Sequence, residues 1–281
     1  MEPGDLQVNG LRLHYVTEGA GDLVLLLHGF PETHHTWRKQ IPALAARFRV
    51  VAPDLRGYGE SDKPPRISDY RVEAVADDIA ALIGELGAER AHVVGHDWGG
   101  GVAWALAQRS PTVLDKLAVL NCPHPAVMWK ALRSNWRQIR RSWYILAAQV
   151  PWLPERLLLR DGARAIGGAL RGSARTPDTF TDADLAEYER AFARPGAATA
   201  ALNYYRAAFR SGLRGAPSSR PIAAPTLLIW GEDDFALGKE LTYGMEGLFA
   251  DGFRIEYVPG ASHWVNEERP DLVNRLLLDF L

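Results

Sequence analysis

One cysteine, Cys122, is present in 281 residues. The chain cannot close a disulfide within itself, which excludes the stapled architecture of small secreted domains and suits a reducing compartment. A cytoplasmic location is expected. Met1–Asp5 has no basic stretch and no long apolar run, so neither a signal peptide nor a membrane anchor is expected there. Charge of one sign is also lacking: 32 Lys and Arg against 34 Asp and Glu leave −2. That balance favours neither nucleic acid nor an anionic membrane as partner. Internal repeats and low-complexity segments are absent. What remains is an ordinary globular composition, 47% apolar and 23% charged, at a length that suits one core with an insertion.

The chain is organised around Ala91–Trp104. An apolar run, Ala91–Val94, meets Gly95-His96-Asp97-Trp98-Gly99-Gly100 and re-emerges as an Ala-rich helix. Small residues at these spacings match a nucleophile elbow, a strained strand-to-helix turn that exposes one side chain. A Cβ at the glycine positions would collide with the helix or the neighbouring strand. The exposed residue here is Asp97. Serine at this position suits carbonyl carbon, whereas attack by serine on an sp3 carbon would give an ether that water does not readily cleave. A carboxylate attacking sp3 carbon gives an ester that activated water can open. Asp97 therefore points to an epoxide or an alkyl halide. Its position at a helix start, among amide donors, predicts that it stays ionised. An Asp serving only as a helix cap is the plainer alternative.

In chain order, Leu6–Val16 alternates around Asn9-Gly10, a hairpin signal. Leu23–Leu27 reads as a strand buried on both faces. A helix over Trp37–Phe48, a strand over Val50–Ala52 and a helix over Val72–Leu86 follow, then the elbow strand, its helix to Arg109, and a strand over Leu117–Leu120. This alternation predicts an α/β fold with a mainly parallel sheet and active groups at the carboxyl ends of its strands. From Pro123 to about Pro221 only helical segments are found, one starting at Thr181 and stopping at Pro195-Gly196, the next spanning Ala197–Phe209. The core resumes with strands over Pro225–Trp230 and Arg254–Val258, a helix over Lys239–Phe249 between them, and a last helix over Pro270–Phe280. Residues 1–123 and 222–281 are thus expected to form the core, and 124–221 a helical lid.

A base is needed to activate water, and His263 follows the last strand, where the third partner of this arrangement falls in chain order. The orienting acid belongs after Thr226–Trp230, where Glu232, Asp233 and Asp234 all stand; the order of partners favours Asp234, with Asp233 still open. The alternative place, after Leu120, holds Asn121-Cys122-Pro123 and no carboxylate. Backbone N–H groups of Phe30 and Trp98 are candidates for the oxyanion hole. His28 reads as a buried structural histidine. Arg133, Arg137, Arg140 and Arg141 read as a solvated helix face.

His28-Gly29-Phe30-Pro31-Glu32, Arg56–Pro64, Gly95–Gly100, Gly231–Phe235 and Ser262-His263-Trp264 together resemble the α/β-hydrolase-fold epoxide hydrolases along almost the whole chain. The resemblance implies conversion of a small apolar epoxide and water to a vicinal diol, with no metal or organic cofactor. It also implies two lid tyrosines that hold the ring oxygen. Ser142–Pro151 and Leu202-Asn203-Tyr204-Tyr205-Arg206 are similar to the segments bearing them, which maps the roles onto Tyr144 and Tyr205. Tyr204 and Tyr205 lie about 100° apart on a helix, so only one can face the site. Haloalkane dehalogenase is the alternative within enzymes, with Trp98 and lid tryptophans Trp129, Trp136, Trp143 and Trp152 as halide donors. From another class, a non-catalytic ligand-binding protein on the same scaffold is the third reading. A homodimer is left open.

Overall fold

The computed structural model describes residues 1–250 and 252–281. Strands β1 (Glu2–Val8), β2 (Leu11–Glu18), β3 (Leu23–Leu27), β4 (Arg49–Pro53), β5 (Ala91–His96), β6 (Leu114–Leu120), β7 (Thr226–Gly231) and β8 (Phe253–Val258) form one sheet. Its order is β1-β2-β4-β3-β5-β6-β7-β8. The β1–β2 hairpin turns at Asn9 and Gly10, both at positive φ (50° and 77°), as a tight turn matched to strand twist requires. β2 runs antiparallel to β4, and every pairing from β4 onward is parallel. This is the expected α/β-hydrolase architecture.

Alternation along the central strands sorts their side chains into two layers. Leu25 and Leu27 pack on one face with Val93, Val119 and Leu228, under α2 (Val72–Glu85) and α3 (Trp98–Arg109). Val24 and Leu26 pack on the other with Val94, Ala118 and Ile229, against Ile41, Leu44, Val273 and Leu277. All five residues of β3 are buried, each contributing about 1.5–3 kcal/mol of transfer free energy.

Two expected helices are broken. Between Thr33 and Phe48 the chain makes a 3-10 turn, His34–Trp37, and then a five-residue helix, α1 (Ile41–Ala45). Pro42 has no N–H to offer a preceding turn, so a helix begun at Trp37 cannot run through it. Over 239–249 there are two 3-10 turns, Lys239–Thr242 and Glu246–Leu248. Tyr243 is extended and Gly244 has φ 68°, which ends the helix between them.

Among the described residues, no strand lies between β6 and β7. Seven α-helical segments, with a 3-10 turn at Pro177–Thr179, are described in that interval: α4 (Pro125–Ser134), α5 (Trp136–Arg141), α6 (Trp143–Ala147), α7 (Leu153–Leu158), α8 (Arg160–Ser173), α9 (Asp182–Phe192) and α10 (Ala197–Gly212). α9 starts at a capping box, in which the Asp184 N–H donates to Thr181 Oγ1 (3.2 Å) and the Thr181 N–H donates to Asp184 Oδ2 (2.9 Å). Arg206 on α10 ties this region together. Its guanidinium donates to the carbonyls of Ala148 (2.9 Å) and Val150 (3.1 Å) and pairs with Glu155 (2.7 Å).

Candidate active site

β5 stops at His96, and Asp97 takes φ 47°, ψ −117°, a strained conformation for a residue with a Cβ. The close approach of α3 to β3 makes this turn possible. A Cβ on Gly99 would fall inside contact distance of the Leu27 and His28 carbonyls, and one on Gly29 would strike the Asp97 side chain. Gly99→Ala must push α3 off the sheet. We expect a loss of about 3 kcal/mol, a drop in Tm of roughly 6–12 °C by scanning calorimetry. An unchanged Tm would contradict the tight packing.

The turn aims Asp97 at two partners. The Phe30 N–H donates to Asp97 Oδ1 (2.8 Å), and His263 Nε2 lies 3.5 Å from Oδ2. On its other side, His263 Nδ1 meets Asp234 Oδ2 at 2.7 Å. Asp234 is held in one orientation by the Asn121 side-chain amide (2.8 Å) and the N–H groups of Ala236 (2.8 Å) and Leu237 (2.9 Å). Asp233, one residue earlier, is exposed and pairs with Arg175. Trp98 opens α3, so its N–H is one of the helix-start amides without an intrahelical acceptor.

Burial pushes the Asp97 carboxyl up, but the hydrogen bond and charge of His263, with the Phe30 N–H, outweigh it and hold the pKa below the ordinary value. Burial pulls His263 down, and the two flanking carboxylates, Asp234 foremost, raise it well above the ordinary imidazole. Both shifts favour the charged forms of Asp97 and His263.

A cavity of about 880 Å³ opens over Asp97 and His263. Its walls include Phe30, Tyr144, Leu202, Tyr205 and Trp264. Among the described residues the Tyr144 hydroxyl has no protein hydrogen-bond partner, the Tyr205 hydroxyl stands beside the Trp98 side chain, and the two tyrosine rings meet edge to face with centroids 5.7 Å apart. Burial, reinforced by the Asp97 charge, pushes both hydroxyls above the ordinary tyrosine pKa, so they are protonated donors at neutral pH. Tyr204 turns the other way and donates to the Arg56 carbonyl (2.9 Å). Of the tryptophans at 129, 136, 143 and 152, only Trp143 lines the cavity. Arg140 and Arg141, read from sequence as solvated surface, are exposed but stand on the cavity wall. Their spacing on the helix marks solvent access and says nothing about the opening beside it.

Three supporting residues carry no motif of their own. Asn121, at the end of β6, orients Asp234 and also accepts from the Gly231 N–H (2.9 Å). Glu32 and His96 are a fully buried pair (2.9 Å), and His96 Nε2 contacts the His263 carbonyl (2.9 Å). Their only sequence signal is their place inside the His28–Glu32 and Gly95–Gly100 motifs, which assign them no role. His28 is buried, accepts from the Leu55 N–H through Nε2 (3.0 Å) and so donates through Nδ1 to the Gly29 carbonyl (3.0 Å). Among the described residues, the one cluster with metal-ligand spacing is His14, His34 and Asp54, outside the cavity lining.

A carboxylate on an elbow, a histidine between it and a second carboxylate, and an apolar cavity above them are the features of an α/β hydrolase. The comparisons agree. Residues 22–270 match the alpha/beta hydrolase fold family, and the chain belongs to that family. It is 42% identical to the AB hydrolase superfamily protein YfhM of Bacillus subtilis, over 98% of this chain and 96% of that one. It is 38% identical to epoxide hydrolase 3 of Xenopus tropicalis, over 97% of this chain and 75% of the other. The crystal structure of a Bacillus megaterium epoxide hydrolase in complex with an inhibitor superposes with a TM-score of 0.92 at 32% identity, covering 99% of each chain. The resemblance drawn from the motifs is borne out.

Proposed function

We propose that the protein hydrolyses an apolar epoxide to a vicinal diol through an ester on Asp97. The observation that carries this reading is the Asp97 carboxylate, with one oxygen on the Phe30 N–H and the other beside His263, at the floor of a cavity walled by Tyr144 and Tyr205. Asp97 Oδ2 attacks a ring carbon and the carbon–oxygen bond breaks. The leaving alkoxide takes a proton from Tyr144 or Tyr205, which a departing halide would not need. Oδ1 becomes the ester carbonyl. Esterification removes one of the two charges that keep His263 protonated, so its pKa falls; its proton passes to the tyrosinate left by ring opening, and the neutral imidazole becomes a base. It then takes a proton from water attacking the carboxyl carbon, with Asp234 stabilising the imidazolium. The Phe30 and Trp98 N–H groups face the oxyanion. Expulsion of the diol restores Asp97. Nothing in the sequence needs a metal or an organic cofactor for these steps.

Residues 124–221 act as the lid over the core formed by 1–123 and 222–281. A cytoplasmic location rests on the lone cysteine; no helix of the described residues is long and apolar enough to cross a membrane.

The test is a single turnover of styrene oxide in ¹⁸O-labelled water, with 1,2-dibromoethane run beside it. Unlabelled diol and labelled Asp97 support the ester route, because water oxygen enters the carboxylate first. Labelled diol overturns it. Bromide release without diol transfers the reading to haloalkane dehalogenase.

The depressed Asp97 pKa sets a pH dependence. The alkylation rate, followed by tryptophan fluorescence, is expected to stay flat from neutral pH down to about pH 5, where Asp97 is still ionised. A limb centred above that pH would mean a raised carboxyl pKa and would overturn the charge balance described above.

A further inference from the structure

The net charge of −2 hides an uneven distribution. Residues 129–164 contain eight Lys and Arg against two acids, a local excess of +6 that the remaining chain more than cancels. The same stretch carries three of the most exposed tryptophans, Trp136 (64%), Trp143 (67%) and Trp152 (65%), with Leu146, Val150, Leu153 and Leu157 exposed around them. The two features share one face. Arg140, Arg141, Trp143, Val150, Leu153 and Leu157 are all exposed and all line the cavity, so they surround its mouth. Trp136 and Trp152 flank them. Arg137 and Arg140 approach the Trp136 ring at 5.8 and 5.7 Å, and Arg156 approaches Trp152 at 5.9 Å. Among the described residues, none of Arg137, Arg140, Arg141 and Arg156 has a carboxylate within ion-pair distance. Of the two acids, Glu155 is already paired with Arg206 and Asp161 lies 3.5 Å from Arg160.

Large exposed apolar patches mark interaction surfaces. The chemistry of this one is specific. Tryptophan rings are amphipathic and settle at the headgroup level of a bilayer, and arginines left without carboxylates attract anionic headgroups. We infer that the face around the cavity mouth, α5 to α7, docks on an anionic lipid surface. Docked there, the mouth opens toward the phase in which apolar molecules dissolve. The whole-chain charge gives no reason to expect such a partner; its distribution does. The helices involved have five or six residues each, so the contact is interfacial and no segment enters the bilayer core. Exposure and charge carry this surface, independently of the chemistry assigned to Asp97.

Co-sedimentation of the whole protein with phosphatidylcholine vesicles, with and without phosphatidylglycerol, tests it. Binding is expected only to the phosphatidylglycerol vesicles, with a blue shift of tryptophan fluorescence and release at high salt. Arg137→Gln/Arg156→Gln should weaken it roughly thirtyfold, and Trp136→Ser/Trp152→Ser should remove most of the blue shift, leaving the part reported by Trp143. None of these four side chains lines the cavity, so hydrolysis of a water-soluble epoxide should be unchanged in both variants and reports that they fold. Equal affinity for neutral vesicles, or no binding to either kind, overturns the proposal. So does a dimer in light scattering that Trp136→Ser/Trp152→Ser dissociates while vesicle binding is absent, since the face is then a contact between two copies. Because vesicle binding is read without turnover, failure here and failure of the epoxide chemistry are separate results.

Discussion

Asp97→Ala is expected to lose at least about 10⁴-fold in epoxide turnover, comparable to the loss of a nucleophile elsewhere, with no covalent adduct visible by mass spectrometry. The reasoning is geometric. The elbow presents one side chain to the cavity floor, and the Phe30 N–H at 2.8 Å has that carboxylate as its acceptor. Among the described residues, no other carboxylate stands beside His263 on the cavity side, because Asp234 is committed to Nδ1, Asn121 and two backbone amides. The variant should still fold. Removing the carboxylate relieves the strain of a side chain at positive φ only in part, but it also removes a buried charge. A folded Asp97→Ala protein that turned epoxide over at a normal rate would eliminate the ester route, leaving direct attack by a His263-activated water.

His263→Gln is expected to separate the two half-reactions. The first turnover should proceed and the second should not, so the protein gains the mass of one epoxide and stops. Steady-state turnover should fall by about 10³-fold or more. The first step survives because alkylation asks nothing of the imidazole beyond its charge, and the Phe30 N–H still supports the carboxylate. It should slow somewhat, because without the imidazolium the burial of Asp97 raises its pKa. The acidic limb of alkylation should therefore lie at higher pH in the variant than in the parent. Diol production at the parent rate would sink the two-step scheme. A variant that neither alkylates nor turns over would instead show that the imidazolium is needed to keep Asp97 ionised.

Which of these features could be read from residues alone depends on how local their cause is. The elbow is legible because its glycines answer to contacts made within five residues of Asp97 and on the adjoining strand. The hairpin at Asn9-Gly10 and the capping box at Thr181 and Asp184 are likewise short-range. The choice between Asp233 and Asp234 is of another kind. The two are adjacent and chemically identical, and what separates them is the turn after β7, which brings one under His263 and leaves the other beside Arg175. Asn121 shows the same limit. In the sequence it marks only the lack of an acid after β6, yet in the fold its amide reaches across to the acid on the next strand. Lys239–Phe249 has the apolar spacing of a helix, but backbone at Gly244 overrides it. Arg140 and Arg141 are solvent-facing by periodicity, and only tertiary structure sets a cavity beside them.

α10 carries two neighbouring tyrosines that answer to different constraints. Tyr204 is fully buried and bound to the Arg56 carbonyl, and Arg56 is itself held by the buried Asp78. Tyr205, one residue on, faces the cavity. The backbone that carries Tyr205 of the proposed proton-donating pair is thus fastened to the sheet side of the molecule through its neighbour, while Tyr144 belongs to the short helices at the rim. Mutational drift in α5 to α7 can reshape the opening and the substrates it admits without displacing Tyr205. Selection can therefore retune what enters this protein while leaving half of its acid fixed in place.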